Sequence, residues 1–183
     1  TIQKLNAEGK ILAYHDRSDG GLYTTALEMA FAGHVGVTLD ISKLAGSELE
    51  ILFNEELGAV LQVATENVSA VLSAFENAGL KECVSDIGTL NDSYEYRIGN
   101  YAENISDLRA IWSDTTRRIS ALRDNPECAE SEYKLKLEEA DPGITPKVTF
   151  DISVTHDYES RPKMAILREQ GVNGEVEMAA AFN

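Results

Sequence analysis

Lys10-Ile-Leu-Ala-Tyr-His-Asp-Arg-Ser-Asp-Gly-Gly-Leu22 decides how this chain is read. Its first half is short and apolar, as a buried strand is, and it runs straight into a polar turn that ends in two glycines. Beyond the turn, Leu22, Ala26, Met29, Ala30 and His34 approximate helical spacing, with Ser18 or Asp19 available to cap the first amides and Gly33 or Gly36 to end the helix. The stretch is therefore expected to be strand, turn, helix, with its polar residues gathered at a helix N-terminus.

Outward from this unit the element types keep alternating. Val35 to Ile41 alternates as a strand, Ser47 and Glu50 have capping-box spacing before a short helix through Phe53, and Leu57 to Val63 reads as a strand. Asn67 to Ala78 follows as a helix stopped by Gly79, and Val84 to Leu90 and Tyr94 to Ile98 as two further strands. The fold class expected from this pattern is α+β, a mixed sheet with helices. Ile2 and Leu5, before Gly9, look like the end of an amphipathic helix that starts upstream, so the chain reads as a fragment.

Leu108, Ile111, Trp112, Thr115, Ile119 and Leu122 trace one helical face, and Arg109, Arg117, Arg118 and Arg123 on the same stretch suggest docking on an acidic neighbour. Asn125-Pro126 ends that helix, and Glu127 to Glu139 stays ambiguous between helix and strand. Asp141-Pro-Gly-Ile-Thr-Pro146 is a break, followed by a linker with strand-like Val148 to Val154. Met164-Ala-Ile-Leu167 then has the signature of a buried strand, and Val176 to Phe182 that of an opening helix. Three regions are expected: 1–105, a synthetase-type domain; 106–160, a helical segment and linker; and 161–183, the start of another domain.

The 183 residues carry 16 Lys plus Arg against 31 Asp plus Glu, a net charge of −15 with 43% hydrophobic residues. A chain of this size buries roughly 70% of its unfolded surface, enough for a core without disulfide staples. No basic stripe exists to neutralise phosphates, which argues against nucleic acid or an anionic membrane as partner. Cys83 and Cys128 stand far apart without metal-ligand spacing, as expected of reduced thiols, and neither a membrane span nor an export signal is present in the sequence. A cytoplasmic location follows as the expectation.

Asp16, Ser18, Asp19, Gly20 and Gly21 could build a phosphate site, because helix N-terminal amides attract anions and a carboxylate beside them can hold Mg²⁺ as one arm. The plainer reading of the same residues is a tight turn with an N-cap. Other candidates look structural. His15 is expected to pack at the strand end, His34 to sit near a helix end, Cys83 to be a small core residue, and Asn54-Glu-Glu56 to be a solvated loop or helix end; His156 lies in the linker.

Longer strings add a resemblance. Tyr14-His-Asp-Arg-Ser-Asp-Gly-Gly-Leu22, Glu28-Met-Ala-Phe-Ala-Gly-His34, Leu52-Phe-Asn-Glu-Glu-Leu-Gly-Ala59, Leu122-Arg-Asp-Asn-Pro-Glu-Cys128, Arg161-Pro-Lys-Met-Ala-Ile-Leu-Arg-Glu-Gln-Gly-Val-Asn173 and Glu177-Met-Ala-Ala-Ala-Phe182 together resemble the long, single-chain form of the phosphoribosylformylglycinamidine synthase family. The resemblance implies an aminoimidazole-ribonucleotide-synthetase C-terminal-domain-like fold, then a helical linker, then the first strand of a truncated class I glutaminase domain. It implies an ATP-dependent carbon–nitrogen ligase of purine biosynthesis that takes ammonia from glutamine, with Mg²⁺ and ATP or ADP as cofactors. By the same resemblance Asp16 matches a Mg²⁺ ligand and Ser18 a nucleotide contact, with Asp19, Gly20 and Gly21 completing the turn, at a site that holds its nucleotide structurally. No catalytic residue is implied within the chain, and its partners would be a nucleotide and the remaining domains of the parent chain. The fragment itself is expected to be inactive, or to serve as a nucleotide-binding interdomain scaffold. It departs from the family pattern at Gly174, where Ser is usual.

Overall fold

The computed structural model describes residues 1–151, 160 and 162–182, which fall into two compact units, Thr1–Asp141 and Pro142–Asn183. The first opens with α1 (Ile2–Ala7) and β1 (Ala13–Asp16), then α2 (Gly21–Gly33), β2 (Gly36–Leu39), α3 (Glu48–Phe53), β3 (Ala59–Gln62) and α4 (Val68–Asn77). β4 (Gly88–Asn91), β5 (Glu95–Ile98) and β6 (Tyr101–Asn104) lead into α5 (Ile105–Arg123) and α6 (Pro126–Leu135). The alternation read from the sequence therefore becomes an α+β fold.

Two sheets organise this unit. β1 and β3 pair antiparallel, Asp16 opposite Ala59 and Tyr14 opposite Leu61. The other sheet runs β4-β2-β5-β6, with β2 and β5 parallel and the outer pairs antiparallel. β6 was not expected from sequence. Its four residues, Tyr-Ala-Glu-Asn, carry little apolar signal, and it forms as the antiparallel edge beside β5.

One face of α2 supplies Ala26, Leu27, Ala30 and Phe31 to a core completed by Val37, Leu39, Leu52, Tyr94, Tyr96, Ile98 and Ile105. Tyr96 is fully buried, and its hydroxyl donates to the Tyr23 carbonyl oxygen at 2.9 Å, so its polar tip is satisfied within the apolar layer. A second, smaller core joins Leu5 of α1 to Val71 and Phe75 of α4, beneath Leu61 of β3. The two-stranded sheet thus stands between a helix that faces the main core and helices that have a core of their own.

Local signals were strongest at the caps. Ser47 and Glu50 form the full capping box, Glu50 N–H donating to the Ser47 hydroxyl and Ser47 N–H to the Glu50 carboxylate at 2.8 Å. Asn125 caps α6 with Pro126 at its first position, which settles the ambiguous segment as helix over Pro126–Leu135. Of the four arginines of α5, one meets an acid of α6, while Arg118 pairs with Asp114 of α5 itself, Arg123 with Asp124, and Arg109 reaches the Phe31 carbonyl oxygen. Arg117 bonds Asp114 at 2.6 Å and reaches Glu130 of α6 at 3.3 Å, with its guanidinium 5.0 Å from the centre of the Tyr133 ring.

Several expectations change. Cys83 is an exposed free thiol in a 3₁₀ turn, Lys81–Cys83, rather than a core residue on a strand, because β4 begins only at Gly88. In the second unit, Met164 to Leu167 is not a strand; Met164 and Leu167 are exposed, and no strand among the described residues pairs with them. Apolar, β-prone residues alone do not make a strand, which needs a neighbour for its backbone groups. The expected helix does form, as α7 (Glu175–Ala181), with Gly174 at its N-cap and open space where a side chain would stand. Val148 to Asp151 is not in a strand, and the remainder of that expected strand, with His156, lies outside the described residues.

Candidate functional site

β1 delivers Asp16 to the surface, and the chain then reverses into α2 within four residues. Arg17 N–H extends the pairing by donating to Gly58 O at 2.8 Å, and Gly21 N–H closes the turn on Ser18 O at 3.0 Å. The reversal needs two successive left-handed residues, Gly20 at φ +80° and Gly21 at φ +67°, a conformation that costs an L-residue with a side chain about 1–2 kcal/mol. Gly21 has a second reason to lack a side chain. A Cβ there would lie 2.6 Å from Leu52 O and 2.9 Å from Phe53 Cα, so α2 begins hard against the backbone at the end of α3.

The expected cap does not form. Gly20 occupies the N-cap of α2, and no side chain caps the helix. Ser18 spends its hydroxyl on Asp16 instead, donating to Oδ2 at 2.5 Å. The Gly20 amide donates to Glu55 Oε1 at 2.8 Å, so a carboxylate from the loop after α3 already sits where an anion would meet the turn. Arg17 fastens that loop, bonding Ile51 O at 3.2 Å and Glu56 at 3.3 Å. The expected solvated loop of Asn54, Glu55 and Glu56 is therefore tied to the turn at two points, which spacing could not show because the partners are 35 and 39 residues apart.

Asp16 is the exposed carboxylate of the group, 69% accessible at its side chain. The Ser18 hydroxyl holds its pKa below the ordinary carboxylate range, helped by its own backbone amide, so the group is ionised at neutral pH. Asp19 is exposed beside it. Hard, anionic oxygen is what Mg²⁺ takes, usually from one or two protein carboxylates together with phosphate oxygens and water. Among the described residues no group of three His, Cys, Asp or Glu could hold a metal ion, so the donor set fits a single arm and not a cage.

Behind the turn lies a network that the sequence did not suggest. His15 Nε2 is 2.9 Å from Glu28 Oε2, its Nδ1 is 2.7 Å from Asp16 O, and Trp112 Nε1 of α5 donates to Glu28 Oε1 at 3.0 Å. His15 was expected to pack at the strand end, and it does so with both ring nitrogens engaged. His34 stands at the C-cap of α2 at φ +54°, edge-on to Tyr94, and contributes nothing to the turn. On the other side, Tyr23 in the first turn of α2 stacks near Phe53, Tyr96 and Tyr101. Burial, then the Tyr101 hydroxyl at 3.1 Å, push its phenol well above the usual range, so it is a neutral hydrogen-bonding group at any physiological pH.

No helix among the described residues is long and apolar enough to cross a membrane. Cys128 lies exposed on α6, and Cys83 is exposed as well. A family model described as AIR synthase related protein, C-terminal domain, matches residues 1–99, from α1 through β5, and so covers the turn and the loop fastened to it. That family includes ATP-dependent enzymes of the purine-biosynthesis type. With more than half of its 183 residues matched, over the same elements that build the strand, turn and helix, this chain belongs to the AIR synthase related C-terminal-domain family.

Proposed function

We propose that this chain is the end of the second ATP-handling half of a phosphoribosylformylglycinamidine synthase, its linker and the opening of its glutaminase, and that residues 13–21 form one wall of a structural nucleotide site. The observation that carries this reading is the exposed, ionised Asp16 beside a turn of two left-handed glycines at the start of α2. The parent reaction joins ammonia from glutamine to formylglycinamide ribonucleotide. An amide carbon resists ammonia, so ATP must first turn the amide oxygen into a phosphorylated leaving group.

In this wall Asp16 supplies one anionic oxygen to Mg²⁺, and Ser18 orients that carboxylate through its hydroxyl. Gly20 and Gly21 give the turn its left-handed path, and the Gly20 amide becomes available to a phosphate oxygen once the Glu55 carboxylate that holds it moves aside. Bound with a nucleoside diphosphate, the metal would neutralise phosphate charge. Asp19 adds a second carboxylate at the rim. The other ligands would come from the remaining domains of the parent chain, and the glutaminase chemistry from residues beyond this segment, so the chain alone is a scaffold and not a catalyst. A cytoplasmic setting fits that role.

Calorimetric titration of Mg²⁺·ADP into the chain tests this. The wild type should bind weakly, and Asp16→Asn, which keeps the shape but removes the charge, should weaken binding by about ten-fold. Equal affinities for the two proteins would overturn the assignment of Asp16.

A further inference from the structure

We propose that Glu28 is a positioning residue for the Asp16 turn, holding His15 against the Asp16 main chain and tying both to Trp112 of α5. The inference rests on the reading of Asp16 as a cation arm. Three elements meet at this one carboxylate: β1 through His15, α2 through Glu28 itself, and α5 through Trp112. The partners are 13 and 84 residues from Glu28 in sequence, so only the folded chain assembles the link.

The chemistry of the partners makes the link directional. Both groups facing the His15 ring are acceptors, the Asp16 carbonyl oxygen at 2.7 Å and Glu28 Oε2 at 2.9 Å, so the ring lies between two acceptors and its N–H donates to one or the other according to its tautomer. The second oxygen of Glu28 accepts from the Trp112 indole at 3.0 Å, which fixes the carboxylate plane. Trp112 is held in turn against Phe31 of α2, ring centres 5.8 Å apart. His15 and Glu28 each keep 29% of their side-chain surface exposed, so the bond between them is partly shielded from water, whereas those to the Asp16 carbonyl oxygen and the Trp112 indole are exposed.

What the device holds is the backbone of Asp16, the last residue of β1, and therefore the origin from which its carboxylate projects. A cation bound through one protein arm depends heavily on where that arm points. Groups that orient a metal ligand typically account for ten- to hundred-fold in affinity.

The test uses the whole 183-residue chain, whose single tryptophan is Trp112, so its emission reports one end of the link directly. Glu28→Ala should shift that emission toward that of a more solvated indole. It should also speed hydrogen exchange at the Arg17 and Gly21 amides and weaken Mg²⁺·ADP by about ten-fold, all at temperatures well below unfolding. Glu28→Gln, matched in volume and keeping one acceptor oxygen, should fall between wild type and Ala. Trp112→Phe should quicken exchange at the same two amides. A role in packing alone would lower the unfolding temperature in the Ala variant and leave exchange and affinity in the Gln variant at wild-type values, and that result overturns the proposal.

The two readings fail separately. If the wild type does not bind Mg²⁺·ADP, the nucleotide site is wrong and exchange with emission alone decides whether Glu28 positions the turn. If binding depends on Asp16 but is indifferent to Glu28→Gln and Trp112→Phe, the nucleotide site stands and the positioning role falls.

Discussion

Gly21→Ala and Gly79→Ala place the same methyl group on nearly the same backbone conformation, φ +67° and φ +74°, and should differ sharply in cost. Gly79 follows α4, and nothing lies within 4 Å of its would-be Cβ, so only the left-handed strain of about 1–2 kcal/mol is expected there. At Gly21 the same strain is joined by collision with Leu52 O at 2.6 Å and Phe53 Cα at 2.9 Å. Both contacts are with backbone, which cannot rotate aside as a side chain does. Either α2 or the end of α3 must move, and overpacking of this kind costs roughly 1–3 kcal/mol more. For a chain of this length about 2–4 °C accompanies each kcal/mol, so Gly21→Ala should unfold roughly 2–12 °C below Gly79→Ala. Thermal unfolding followed by circular dichroism, supported by urea midpoints, measures this. Equal destabilisation would mean that α2 does not abut α3 as described, and with it would go the packed geometry of the Asp16 turn.

Two further outcomes follow from charges. Glu55→Ala frees the Gly20 amide and removes a negative charge beside the turn, so Mg²⁺·ADP affinity should rise about three- to ten-fold; a fall would make Glu55 a ligand and not a competitor. Asp114 is held below the ordinary carboxylate range by Arg117, with Arg118 adding to the effect, so its contribution to α5 and α6 is complete above its unfolded value of about 3.9 and lost as pH falls through its folded value. The difference in urea midpoint between wild type and Asp114→Asn should accordingly be present at pH 6 and shrink as acidification takes the pH through the lowered folded value of Asp114. A difference that does not change with pH would show that Asp114 acts through packing.

Much of this protein was legible in its residues because the signals concerned are local. The glycine pair after His15-Asp-Arg-Ser-Asp, the capping box of Ser47 and Glu50 and Pro126 after Asn125 act over a few residues and need no knowledge of the partner, whereas the apolar face expected of α5 leaves Ile111, Trp112, Ile119 and Leu122 exposed, and the helix buries Ile105 and Ser113 instead. Tertiary structure decided the rest. Ser18 left its expected capping role because Asp16 is the nearer acceptor, and the Gly20 amide was met by Glu55, 35 residues away. β6 exists because β5 offers it an edge, while the more apolar Met164 to Leu167 has no described partner and forms no strand. Glu28 shows the division most clearly. As one acid on α2 it looks like an ordinary surface residue, and it becomes the junction of three elements only when folding brings His15 and Trp112 to its two oxygens. Local spacing determines backbone conformation, whereas the partners of polar side chains are chosen by whatever the fold sets within about 3 Å of them.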